Sequence, residues 1–220
     1  MGLSVGICCC NEKGSVEEKD EPSKVPTVTA WPAVDGVAAA EKSSGQFRMS
    51  IVHHQTQPGF NIDITDGMSL VIVDIKQAGA SNGAGPGQML MPHDRITEAN
   101  GVSGDAAAMM KMLRGTDKWE LTVQRPTEFL AEVRRQGGSA LGVDLQFAPN
   151  GTSLVVVSVT DGPIQAWNAT SDGYRIDKFD RIVEINGIRG TSRELLNAMM
   201  NQELLRMVVL KYLSDPLETK

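Results

Sequence analysis

Asp94-Arg95-Ile96-Thr97-Glu98-Ala99-Asn100-Gly101-Val102-Ser103-Gly104-Asp105 returns without a gap as Asp180-Arg181-Ile182-Val183-Glu184-Ile185-Asn186-Gly187-Ile188-Arg189-Gly190-Thr191. Seven of the twelve positions are identical, at a constant offset of 86 residues. An offset of that size is about one small domain, so the spacing predicts a duplicated module. Within each copy, Asp-Arg-Ile opens a strand and Asn-Gly is a tight-turn dipeptide. The Asp105 or Thr191 that closes the stretch is suited to cap a following helix.

Outward from this stretch the two copies correspond element by element. The first reads as an extended segment over 47–52, a loop Gln57-Pro58-Gly59-Phe60, and strands over 61–64 and 69–75 with Asp66-Gly67 as their turn. The repeated strand, a helix Ala106–Arg114 and a closing strand over 119–124 follow. The second reads as 129–134, a loop Ala140-Leu141-Gly142-Val143, and strands over 144–147 and 153–159 around Asn150-Gly151. Its repeated strand leads to a helix Ser192–Asn201 and a closing strand over 205–212. Alternation and β-branched content support the strands. Pro126 and Thr127 form the junction, giving modules over 46–126 and 128–213.

Lys and Arg number 21 against 27 Asp and Glu, a net charge of −6. An acidic chain has no general attraction to phosphate backbones, which argues against nucleic acid as a partner. No run approaches the roughly eighteen apolar residues of a membrane-spanning helix. Hydrophobic residues are 41% and charged residues 22%, enough for a core over most of the length.

All three cysteines are adjacent, Cys8, Cys9 and Cys10, so no disulfide framework is available. The start, Met1-Gly2-Leu3-Ser4-Val5-Gly6-Ile7-Cys8-Cys9-Cys10, reads as an acylation signal: myristate on Gly2, with palmitate on the cysteines behind it. Gly6 stands where the pattern takes Ser or Thr. One myristoyl chain binds only marginally, and stable anchoring takes a second signal. Residues 11–42 carry seven acids against four lysines, so a basic patch does not supply it. Acyl chains on cysteine then serve, and the expected location is the cytoplasmic face of a membrane. Residues 1–45 are charged and broken by Pro22, Pro26 and Pro32, and are expected to be a disordered, lipid-anchored tail.

The succession of loop, strands and late helix resembles the PDZ domain, twice. The resemblance implies an α+β fold that is mainly β: two partly open β-barrels or sandwiches, each capped by two helices, behind a disordered tail. It further implies a peptide receptor. Consecutive N–H groups of a partly Gly turn form a nest for a carboxylate, and the edge of the second strand takes an extended peptide as an added antiparallel strand. Carried over residue by residue, the carboxylate loop is Leu141, Gly142 and Val143 in copy two, and Gly59 and Phe60 in copy one. The groove is lined by Leu145, Ser192, Leu196 and Met199 in copy two, and by Ile62, Ala106, Met110 and Leu113 in copy one. Ser192 and Ala106 stand at the first helical position, where many PDZ domains that choose Ser or Thr ligands carry His.

Pro58 has no N–H to give, so copy one loses a donor worth about 1.5–3 kcal/mol to a charged group. Copy two is therefore the expected main binder of protein C-termini, with copy one taking internal segments, binding weakly or supporting its neighbour.

No cofactor, metal or catalytic residue is expected. His53, His54 and His93 stand in no nucleophile or metal spacing, and two modules leave no length for a catalytic domain. Asp94 and Asp180, each followed by Arg, read as surface or turn pairs. An enzyme or protease accessory is the opposing class. A third reading is self-association in membrane tethering, on a plan similar to the Golgi reassembly-stacking proteins. Those have a permuted strand order, whereas Gln57-Pro58-Gly59-Phe60 precedes the first β-branched strand here.

Overall fold

Two antiparallel sheets carry the repeat. The computed structural model describes residues 3–5, 45–52, 59–76, 89–135, 137–148 and 151–212. In chain order the elements begin with β1 (Leu3–Val5), β2 (Gly45–Val52), β3 (Phe60–Asp63), β4 (Leu70–Ile75) and β5 (Arg95–Ala99). Next come β6 (Val102–Ser103), α1 (Ala106–Arg114) and β7 (Lys118–Arg125). Copy two supplies β8 (Thr127–Arg134), β9 (Val143–Phe147), β10 (Leu154–Val159) and α2 (Pro163–Thr170). It ends with β11 (Arg181–Ile185), α3 (Ser192–Asn201) and β12 (Leu204–Lys211).

The first sheet runs β2-β7-β5-β4-β3 with β6 on β5, and the second runs β1-β9-β10-β11-β12-β8. With β1 set aside, the two orders match strand for strand, in the unpermuted succession expected. An isolated bridge between Ile185 and Ile188 stands in copy two where β5 meets β6 in copy one. Copy two carries both expected helices, α2 and α3. In copy one α1 is described, and residues 77–88, where a partner of α2 would fall, lie outside the described residues. The tail is not wholly without structure, since Leu3–Val5 is a strand of the second sheet.

Local chemistry accounts for the repeated stretch. Asn100 and Asn186 take φ of 50° and 51°, and Gly101 and Gly187 take 80° and 81°, the left-handed pair that a tight hairpin turn requires. Each Asn also ties its turn to the closing strand. Asn100 Oδ1 accepts from Glu120 N at 2.7 Å, and Asn186 Oδ1 accepts from Arg206 N at 2.7 Å. Asp105 caps α1 by accepting from Ala108 N, while Thr191 and Glu194 form a reciprocal capping box on α3. Inward residues of each sheet then meet the helix in a separate core. Leu70, Ile96, Met109 and Trp119 belong to the first, and Leu154, Ile182, Leu195 and Leu205 to the second.

Asp94, Asp180 and Arg181 are buried and Arg95 is half-buried, a correction to the surface part of their reading as surface or turn pairs. Asp94 does close a turn, accepting from Met91 N at 2.8 Å, but it is fully buried and held by Arg125 through Nε and Nη2 at 3.0 and 2.9 Å. Asp180 repeats this with Asp177 N at 2.8 Å and Lys211 Nζ at 3.2 Å. Burial dominates there and pushes its pKa up to about 6.

The arginines join the copies. Arg181 Nη1 donates to Asp63 Oδ2 at 2.5 Å and to Ser153 Oγ at 3.1 Å. Arg95 Nη2 donates to Phe179 O at 3.2 Å, and its guanidinium lies 4.1 Å from the centre of the Tyr212 ring. Tyr212 in turn donates its hydroxyl to His93 O at 2.9 Å. Val71 and Val155 are buried yet belong to neither core, and each pairs opposite a junction arginine, Val71 with Arg95 and Val155 with Arg181. Pro126 alone separates β7 from β8.

Candidate functional site

The loop that leads into β9 is built by close backbone approach. Gly142 has φ +72°, and a Cβ there would sit 2.7 Å from the carbonyl oxygens of both Thr160 and Asp161. Gly162 backs onto it, since a Cβ at Gly162 would lie 2.9 Å from Gly142 N and Cα. Only glycines allow these strands of backbone to touch. The loop carbonyls are used behind it: Gly142 O accepts from Thr160 N at 2.9 Å, and Leu141 O accepts from Ile164 N, in the first turn of α2, at 3.1 Å. Among the described residues, the N–H groups of Leu141 and Gly142 donate to no backbone carbonyl outside the strands. That is the donor arrangement a carboxylate nest requires.

Beside the loop, the structure brings the expected floor residues together. Leu141, Val143, Leu145 and Met199 belong to one buried cluster, with Leu196 partly buried against it. Copy one repeats the arrangement. Phe60, Ala106 and Leu113 are buried in one cluster, and Ile62 and Met110 pack partly exposed against it. Phe60 packs edge-on against Trp119, ring centres 5.9 Å apart, so its side chain is a core element. Gly59 O accepts from Lys76 N at 2.8 Å, the counterpart of the Gly142–Thr160 bond. Pro58, His53 and His54 lie outside the described residues.

Ser192 and Ala106 sit at the first helical position as expected, but under a turn. Ser192 is fully buried, with Oγ donating to Ser153 O at 2.9 Å and N donating to Gly151 O at 2.8 Å. Ala106 N donates likewise to Gly67 O at 3.0 Å. In each copy the turn after the second strand closes over the start of the late helix, so these side chains meet protein.

The two outer edges differ. β3 ends its sheet, with no strand beyond it among the described residues. A cleft of about 680 Å³ runs along it, lined by Asn61, Ile62 and Thr65 on one side and by Gln146, Ala148 and Gly151 of copy two on the other. The edge of β9, which the resemblance assigns to an incoming peptide, is already occupied by β1, a correction to its being free. Leu3 lies opposite Phe147, Ser4 opposite Gln146 and Val5 opposite Leu145, antiparallel. Sequence reading missed this because a three-residue strand has no usable periodicity. It also missed the role of Gly162, although Asp161-Gly162-Pro163 is a plain turn signal.

Among the described residues no group of three or more His, Cys, Asp and Glu could hold a metal, and no helix is long and apolar enough to cross a membrane. The acylation residues Gly2, Cys8, Cys9 and Cys10 lie outside the described residues.

No protein-family description matches the chain, and no curated protein does. Among solved structures it is similar to INAD PDZ45 in complex with NG2 peptide, at 16% identity over 80% of this chain and 94% of that one, TM-score 0.35. It is similar to MUPP1 PDZ4 at 18% identity over 50% and 92%, TM-score 0.34. A complex of INAD PDZ45 and NORPA CC-PBM matches at 17% identity over 78% and 92%, TM-score 0.35. Likenesses of this size say nothing about function.

Proposed function

We propose that this chain is a non-catalytic adaptor, held at the cytoplasmic face of a membrane by acyl chains on Gly2 and Cys8–Cys10, that takes up C-terminal peptides of partner proteins by strand addition, mainly through copy two. The observation that carries the reading is the β9 edge. It follows a Gly142 loop whose Leu141 and Gly142 amides have no backbone acceptor among the described residues, shares a core cluster with Met199 and the partly buried Leu196 of the late helix, and pairs with an extended segment in antiparallel register. Main-chain pairing then gives affinity, the loop reads the terminal carboxylate, and the apolar floor reads the last side chain.

The test is a titration of the full chain with peptides of one sequence bearing either a free or an amidated C-terminus. Free-carboxyl peptides are expected to bind at least tenfold more tightly; equal binding would remove the carboxylate reading. Metabolic labelling with a myristate analogue, comparing the native chain with Gly2→Ala and a triple Cys→Ser variant, tests the anchor. Undiminished label in Gly2→Ala would remove it.

A further inference from the structure

We infer that the N-terminal segment is the resident occupant of the copy-two edge, so that Leu3–Val5 and an incoming peptide compete for β9. The inference rests on the strand-addition reading above. β9 has two edges, and β10 fills one through pairs from Val155–Gln146 to Val159–Val143. A strand on the remaining edge uses the same N–H and C=O groups that an added peptide requires, so the two exclude each other. The direction also matches. From Leu3 opposite Phe147 to Val5 opposite Leu145, the segment runs toward the Leu141–Val143 loop, as a peptide presenting its free end to that loop must run.

Three observations mark β1 as a strand that leaves. It is three residues long, against eight in β8 at the opposite margin of the same sheet. Gly2 and Gly6 flank it, and glycine weakens strand continuation on both sides. Among the described residues the first sheet has the same order with no counterpart to β1, and its core is closed by five strands and α1. Val5 is tied to Gly45 through residues 6–44 of the same chain. Pairing is therefore intramolecular, at an effective concentration on the order of a millimolar. An occupant present most of the time weakens the apparent affinity for any ligand in proportion to the open fraction.

The test uses the full, unacylated chain and its Ser4→Pro/Val5→Pro variant. Successive strand residues aim their amides to opposite sides, so one of the two prolines removes an inward donor in either register. The probe is a pool of fluorescent decapeptides with free carboxyl ends and apolar last residues, read alongside hydrogen exchange of the Val143–Phe147 amides. In the variant, exchange in β9 is expected to quicken at least tenfold and the pool to bind at least tenfold more tightly. A synthetic peptide spanning residues 2–7 added to the variant is expected to displace the pool.

Equal pool affinity in both chains overturns the competition and leaves the receptor reading intact. Faster exchange with no pool binding by either chain overturns the receptor reading and the competition with it. A native-chain affinity that rises on dilution places the strand on a second copy and overturns the intramolecular form. Should the variant unfold, residues 2–7 titrated against the native chain decide instead: displacement of the pool supports the inference, and no displacement at millimolar peptide overturns it.

Discussion

Arg181 of copy two reaches Asp63 of copy one, Nη1 to Oδ2 at 2.5 Å, with side chains 1% and 7% exposed. Its repeat counterpart, Arg95, lies 3.5 Å from Asp66 Oδ2, and Arg181 Nη2 lies 3.7 Å from that same oxygen. One motif, duplicated, has thus placed two arginines on one acidic turn between the copies. Among the described residues, Arg181 Nε and Nη2 and Arg95 Nε find no hydrogen-bond partner. Removing one partner of the junction is therefore costly, because it leaves a buried charge without its counter-charge.

Asp63→Ala leaves Arg181 buried without its nearest counter-charge. The expected cost is about 3–5 kcal/mol in urea unfolding. Asp63→Ala combined with Arg181→Met is expected to recover more than half of it, because the uncompensated charge goes too. A double variant no more stable than the single one would show that the pair is not what the substitution disturbs.

Asp180 and Asp63 predict opposite dependences on pH. Burial raises Asp180 from 3.8 to about 6, so the native state holds a proton that the unfolded chain has released. Its contribution to stability therefore falls as pH climbs from about 4 to about 6. Asp180→Asn is expected to remove that decline, roughly 3 kcal/mol between pH 4 and pH 7 at about 1.4 kcal/mol per pH unit. Burial also raises Asp63, but the Arg181 charge and the Thr65 hydrogen bonds outweigh it and hold the carboxyl below its ordinary value. Its contribution is present above the unfolded value and lost as pH falls through the folded one. Urea midpoints of native, Asp180→Asn and Asp63→Asn chains across pH 3–7 check both signs; parallel profiles would refute them.

Gly142→Ala and Gly137→Ala place a methyl at positive φ in different surroundings. Gly137 has φ +56° and nothing within 4 Å of the added carbon, whereas Gly142 meets two carbonyl oxygens at 2.7 Å. The first is expected to cost about 1–2 kcal/mol, from left-handed strain alone. The second is expected to cost clearly more and to lose peptide binding, since the loop must move to admit the methyl. Thermal melting and a peptide titration of each variant separate the cases, and similar behaviour would deny the loop its special packing.

Ser192 is expected to act on stability more than on ligand choice. Ser192→Ala removes the donor to Ser153 O inside a sealed contact, at an expected cost of about 1–2 kcal/mol. Ser192→His cannot fit beneath Gly151 and Ser153 without opening the turn, so it is expected to destabilise copy two and create no preference for Ser or Thr ligands. A stable Ser192→His chain with that preference would place the position back in the groove.

Much of each module is legible in short stretches. The starts of α1 and α3 follow from caps at Asp105 and Thr191, and the Asn-Gly turns follow from two left-handed residues, because these signals act over three or four residues. The floor residues Leu141, Leu145 and Met199 follow from the PDZ resemblance, carried onto matching positions, and not from the repeat alone. Arg181 gives no such signal. A lone charged residue at a strand start looks alike whether it meets water or a neighbour's carboxylate.

The sequence alone determined that the module occurs twice, in unpermuted order, with a glycine loop ahead of the second strand of each copy. Local conformational preference and apolar alternation are sufficient for that. The tertiary structure decided which edge is open, what buries Ser192, and that Asp63 answers an arginine 118 residues away. Backbone pairing is nearly blind to side-chain identity, so Leu3–Val5 finds β9 only where packing has already set an edge at the right distance and direction.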